Sequence, residues 1–373
     1  MIRLRLALLV PLLSITAHAD DARDLRTHRF SYPPALFDAM GPLMAREVAI
    51  APQADRRRAY LLDVTEEEVV GKQAAPVRNV WDRIRNGFAM PSLKGPLVAE
   101  RELWYRQRKD LVAAISQKSR RYLFHIVEAV EKRGMPMELA LLPFVESGFE
   151  PQALSSAQAA GLWQFIPGTA QRYRLKQNEH YDARRDIVAS TEAALDYLEF
   201  LHGLFNDWQL ALAAYNWGEE AVQRAIQRNV ARGLATDYES LVMPEETRYY
   251  LPKLMAIRNI VQSPELHGIE LADIENVPYF AGVDVAVELD AQAIARLAGL
   301  SVAEVLALNP SHTSQVISGR GKPAVLLPAD RVEEFSSRVS ALPVKVRAGR
   351  KAEPARNAKK AILGLRDPEG RAL

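Results

Sequence analysis

"MELALLPFVESGFEP", residues 137–151, places Glu146 directly behind an apolar run from Leu139 to Val145. A carboxylate set against apolar surface has its charged form disfavoured, and its pKa rises. On this stretch alone, a solvated helix end is the simpler reading of Glu146. Whether the acid is instead held inward for chemistry depends on what surrounds it in the chain.

Upstream, "VWDRIRNGF" (80–88) and the long run 97–134 repeat apolar residues at three- and four-residue steps, which predicts helices. Gly134 reads as a helix stop and Pro136 as the next start. Downstream, residues 147–169 are rich in Ser, Ala, Gly and Pro and read as loop. Helical periodicity returns in 186–205, 207–216, 218–229 and 245–261. The pattern changes near residue 275. Phe280 to Val287 reads as a strand, 291–300 and 301–310 as two short helices, and 323–330 as a second strand.

At 373 residues the chain is long enough for two domains. Its net charge of +2 gives no global basic field of the kind nucleic acid attracts. Residues 1–19 have Arg3 and Arg5, an apolar stretch and Ala17-His18-Ala19, the pattern of a secretory signal peptide. A membrane anchor is disfavoured there, because the apolar stretch is short and Pro11 interrupts it. There is no cysteine, so a lipobox anchor, a thiol nucleophile and thiolate metal ligation are excluded. The seven histidines form no close metal-type pair, and neither a metal nor another cofactor is expected. Residues 20–79 read as an N-terminal extension of irregular structure and short helices. Residues 343–373 carry nine Lys and Arg against three Asp and Glu and read as a disordered basic tail.

Four segments, in order, resemble the motif set of the soluble lytic transglycosylase superfamily, glycoside hydrolase family 23. They are Glu146-Ser147, "GLWQ" (Gly161 to Gln164), "AYNWG" (Ala214 to Gly218) and "EETRYYLPK" (Glu245 to Lys253). Within that family, residues from about Val80 to Val261 are similar to a membrane-bound subgroup. Trp163 and Trp217 depart from the wider family's usual Met and Ala. The resemblance implies a mainly α, lysozyme-like catalytic region at 80–265, with its core at about 120–262. The C-terminal stretch 278–330 resembles a degenerate LysM-like α+β (βααβ) module, with "VELD" (287–290) replacing the usual turn after the first strand.

The resemblance implies that Glu146 cleaves the MurNAc-(β1,4)-GlcNAc bond of peptidoglycan, first as acid and then as base, leaving 1,6-anhydromuramoyl ends. It implies substrate-binding roles for Ser155, Gln164, Tyr215 and Asn216. Ser147, Gly161, Leu162, Glu246 and Tyr250 take supporting roles, with Glu246 holding a neighbouring tyrosine or backbone group. Trp163, Trp217 and Tyr249 read either as sugar-stacking rings or as core. Glu150, just before Pro151, reads as a solvated loop residue. The expected partners are peptidoglycan glycan strands and the envelope or membrane periphery, in the periplasm of the cell. A goose-type muramidase and a non-catalytic murein-binding protein are the alternatives.

Overall fold

The computed structural model describes residues 77–313, 316–319 and 323–342. The expectations for the signal peptide, for most of the N-terminal extension and for the basic tail lie outside the described residues.

The predicted helices form, although the long run 97–134 divides into three. Helix α1 is Val80–Asn86, α2 Pro96–Arg106, α3 Lys109–Ser119 and α4 Leu123–Lys132. Asn79 caps α1 by accepting from the Trp81 amide at 2.8 Å. Gly134 (φ 63°) ends the α4 region in the left-handed conformation that glycine adopts cheaply. The opening stretch then folds as a 3-10 turn, Met137–Leu141, and a five-residue helix α5, Leu142–Glu146. Its residues Leu139 to Leu142 are fully buried.

After the loop come α6 (Pro167–Arg172) and a two-residue hairpin, β1 (Gln177–Asn178) with β2 (Tyr181–Asp182). The long helices α7 (Ile187–Phe205), α8 (Trp208–Trp217) and α9 (Glu219–Val230) follow. Asp186 and Asp207 cap α7 and α8, accepting from the amides of Ala189 and Leu210 at 2.8 and 3.0 Å. Helix α10, Glu245–Gln262, runs through Pro252 and packs on α2 and α8. Its buried residues surround the helix, since Tyr250, Met255, Pro252, Ala256 and Ile260 are all enclosed. The fold is therefore mainly α, with α10 threaded through its centre.

The C-terminal region contains β3 (Phe280–Val283), α11 (Ala291–Ala298), α12 (Val302–Leu308) and β4 (Val325–Pro328). The strands pair antiparallel, Phe280 opposite Pro328 and Val283 opposite Val325. The first strand is shorter than its period-two pattern predicts. Val285, Val287 and Leu289 are still buried, but β4 offers only four residues to pair with. A further helix, α13 (Val332–Ser340), inserts Phe335 fully into the module, so βααβ is completed by a third helix.

This module has a core of its own around Ile294, Val305, Leu327 and Phe335. It also shares in the larger one. Along β4, Val325 and Leu327 enter the module core, whereas Leu326 between them joins the main core together with Leu308. Alternation along a strand sends neighbouring side chains to opposite faces, and here both faces are covered. The expectation of a separate module is corrected to that extent: its sheet is buried on both sides.

Candidate active site

Glu146 is the last residue of α5, and the chain reverses immediately after it. Gly148 and Phe149 both take positive φ, 58° and 55°. Glycine does so readily, but an aromatic residue there is uncommon and must be held. Phe149 is held by burial, with no exposed surface, and by its amide, which donates to Pro143 O at 3.0 Å. Ser147 donates its hydroxyl to Leu162 O at 2.9 Å and so ties the end of α5 to the "GLWQ" loop. Ser147 and Leu162, both expected in supporting roles, meet in this bond.

The Glu146 carboxyl meets one described hydrogen-bond donor. Tyr250, from α10, donates its hydroxyl to Glu146 Oε1. Desolvation lifts the Glu146 pKa to about 7, and the like charge of Glu246 adds to the rise. The Tyr250 hydrogen bond and Lys253 oppose it. Glu146 is half-buried, and its carboxyl is turned to a buried tyrosine of α10 rather than left in open solvent.

Glu138, eight residues earlier in the same greasy run, shows the contrast. It is fully buried, yet it accepts from the amides of Ala89 and Met90 and from Arg258 Nε, each at 3.1 Å. Its lone pairs are occupied by structural donors, whereas those of Glu146 are largely uncommitted.

The other expected residues lie on segments tied to Glu146. Tyr215 donates to Trp163 O at 2.8 Å, joining α8 to the "GLWQ" loop. Burial, then the charge of Glu146, pushes the Tyr215 and Tyr250 hydroxyls well above the usual tyrosine range. Both phenols therefore stay protonated as donors. Asn216 accepts from Thr247 Oγ1 at 2.8 Å, which leaves its Nδ2 amide without a protein partner among the described residues. Gln164, at φ 48°, donates Nε2 to Gly161 O at 2.8 Å, and its side-chain carbonyl has no protein donor among the described residues. Ser155 Oγ accepts from the Ala159 amide at 3.0 Å, closing a turn.

Gly161 has a strict steric reason to be glycine. Its φ is 84°, and a Cβ there would lie 2.0 Å from Arg184 O.

One open reading is decided and one changes. Trp163 is fully buried, and its indole N–H donates to Thr191 Oγ1 at 3.1 Å, so it is core rather than a sugar platform. Glu246 is exposed and holds no tyrosine among the described residues; its contribution is the charge it presents to Glu146. It is Glu100 that accepts from Tyr249, at 3.1 Å. Glu150 pairs with Lys118 at 3.1 Å in a solvent-exposed contact. What the motifs did not mark is Arg184, a buried cation whose carbonyl presses on Gly161. Its setting in "YDARRD" looks like an ordinary solvated charge cluster.

Comparison with known proteins matches two domain families. Residues 125–236 match the Transglycosylase SLT domain, and residues 279–344 match the Lytic transglycosylase MltD, LysM-like domain. The chain is similar to the membrane-bound lytic murein transglycosylase D of Escherichia coli (strain K12), 38% identical over 266 residues, which is 71% of this chain and 59% of that protein. It is also similar to the membrane-bound lytic murein transglycosylase C of Haemophilus influenzae (strain PittEE), 28% identical over 161 residues, 39% of this chain and 42% of that one. The chain thus spans 59% of the length of the Escherichia coli relative. Among solved structures, an inactive mutant of the lytic transglycosylase Slt from Pseudomonas aeruginosa is 24% identical with a TM-score of 0.31, covering 39% of this chain and 24% of that one. The residues matched to the SLT domain include Glu146, "GLWQ" and "AYNWG", while Tyr250 lies beyond them.

Proposed function

We propose that this chain is a peptidoglycan lytic transglycosylase of the cell envelope, with Glu146 as its single acid and base. The observation that carries this reading is the Glu146 carboxyl, raised to about 7 and bonded to Tyr250. A group with that pKa is protonated in much of the population near neutrality and can donate a proton, then take one back. The SLT domain and the murein transglycosylase relatives point to the same substrate class.

Glu146 gives its proton to the oxygen leaving the muramoyl C1, and the C1–O bond breaks. The substrate's own acetamido oxygen stabilises the positive charge at C1. The Glu146 carboxylate then removes the proton from the muramoyl C6 hydroxyl, and O6 bonds to C1 as the acetamido oxygen departs. The product is a 1,6-anhydro ring, and no water is consumed. Tyr215 and Tyr250 border the reacting carboxyl. The uncommitted amide groups of Asn216 and Gln164, with Ser155 at the turn, hold the glycan's acetamido and hydroxyl groups.

A two-carboxylate hydrolase is the second reading, because Glu246 is near enough to raise the Glu146 pKa. Its exposure argues against it as a base held in a dry site. Export by residues 1–19 and a place in the periplasm or at the membrane periphery complete the proposal.

The test is murein digestion by Glu146→Gln and Glu150→Gln. The first is expected to lose about 10²–10⁴-fold in rate while keeping its fold, and the second to stay within about threefold of wild type. Wild-type rates for Glu146→Gln overturn the assignment.

A further inference from the structure

Arg184 is 7% exposed, and a cation so enclosed is tolerated only when it is paired and hydrogen-bonded. Its Nε and Nη2 donate to Asp182 at 2.9 and 2.7 Å. Its Nη1 donates to Gln158 O at 2.6 Å and to Phe165 O at 3.3 Å. Those two carbonyls bracket the segment that contains "GLWQ".

Two residues of the bracketed segment take a conformation that neighbours must hold. Gln158 and Gln164 both sit in the left-handed region, at φ 61° and 48°. Each such residue costs on the order of 1 kcal/mol and persists only where neighbours over-determine it. The segment's own bonds close it locally, with Ala160 and Phe165 exchanging amide-to-carbonyl bonds at 3.1 and 3.2 Å and Ser155 donating its amide to Ala159 O at 2.9 Å, whereas Arg184 joins its two ends through one side chain.

Asp182, the anchor of Arg184, is itself gripped from the LysM-like module. The Asp182 amide donates to Ser311 O at 2.8 Å, and the Thr313 amide donates to His180 O at 3.1 Å. Thr313 Oγ1 donates to Glu179 O at 2.7 Å. Tyr181 pairs with His312 between these bonds. The module thus holds the β1–β2 hairpin, the hairpin holds Arg184, and Arg184 holds the loop.

We propose that Arg184 is a positioning residue of the cleavage reaction, keeping residues 158–165 in their working shape, with its Asp182 anchor steadied by residues 311–313 of the module. The proposal rests on the transglycosylase reading for its kinetic consequence, but not for its structural one. The module is then part of the catalytic framework, whatever glycan it binds.

Arg184→Lys is the decisive variant, because an ammonium cannot span Asp182 and both carbonyls as the planar guanidinium does. Hydrogen exchange of residues 158–165 is expected to accelerate about tenfold or more with the rest of the domain unchanged. KM on murein is expected to rise about fivefold or more with kcat within about threefold, and the Glu146 pH limb to stay in place. Thr313→Val is expected to accelerate exchange in the same segment and the hairpin by about threefold. A folded Arg184→Lys protein with wild-type exchange and KM overturns the proposal. Unaltered exchange in Thr313→Val overturns the module's share in it. If Arg184→Lys does not fold, Asp182→Asn is put to the same measurements with the same expectations. A wild-type protein that fails to cut murein would sink the functional reading, and the exchange data would still decide the role of Arg184.

Discussion

Tyr250 reaches Glu146 across 104 positions of sequence and donates to the same carboxyl that desolvation lifts to about 7. The two effects oppose each other. Burial favours the protonated acid, while the phenol favours the carboxylate that follows proton transfer. A group that acts in both states, as proposed for Glu146, is held between them, and each element of the balance can be removed.

Tyr250→Phe removes the described donor to Glu146 and leaves the desolvation. Because that hydrogen bond lowers the Glu146 pKa, its loss is expected to move the pKa upward from about 7. The alkaline limb of the kcat/KM profile is therefore expected to shift to higher pH. The rate itself is expected to fall about tenfold or more, the worth of a hydrogen bond to a charged group. A pH–rate series on solubilised murein checks both.

Glu146→Gln is expected to be more stable than wild type at alkaline pH. The ordinary carboxyl value of 4.5 is raised to about 7 in the folded protein. Wild-type stability is therefore undiminished below the unfolded value, falls as pH rises between the two, and carries the full penalty above the folded value. The variant escapes a penalty of up to about 3 kcal/mol above pH 7 and has no such advantage near pH 4. Thermal melts at the two pH values measure the difference.

Gly161→Ala is expected to destabilise by about 2 kcal/mol or more, from positive φ and from overlap with the Arg184 carbonyl together. Denaturant melts give the value. Ala at Gly134, where a Cβ meets nothing within 4 Å, carries only the φ cost. The difference between the two variants isolates the overlap.

A chain ending at Val277 is expected to melt lower than the full chain, because Leu308 and Leu326 leave the main core with the module. Two buried leucines correspond to about 3 kcal/mol or more. Calorimetry of the shortened protein checks this, and an unchanged melt would show that the module contributes nothing to the catalytic core.

The helices were legible because their apolar residues recur at helical spacing and their caps are ordinary, as with Asp186 and Asp207. Glu146 was legible as a question, since an acid behind seven apolar residues is unusual, and the answer came from its resemblance to other chains. The burial of Trp163 was not, because an aromatic beside a polar motif fits a core and a sugar platform equally well. Arg184 was hidden for a stronger reason. Its partners Gln158 and Phe165 lie 26 and 19 positions away, and no local pattern announces them. The two-faced burial of β4 was obscured similarly, since "VLL" is only a short apolar run until both cores are seen. Local periodicity writes the elements, whereas long-range hydrogen bonds write the site.

The central claim is that Glu146 works without a second carboxylate, and product mass tests it most directly. Purified protein is incubated with sacculi, and the released muropeptides are weighed. If O6 attack closes the ring, products carry 1,6-anhydromuramoyl ends and are lighter by one water, about 18 Da, than those of a hydrolase acting on the same bond. Products with predominantly reducing muramic acid ends would contradict the account and make Glu246, the exposed carboxylate that raises the Glu146 pKa, the base that activates water.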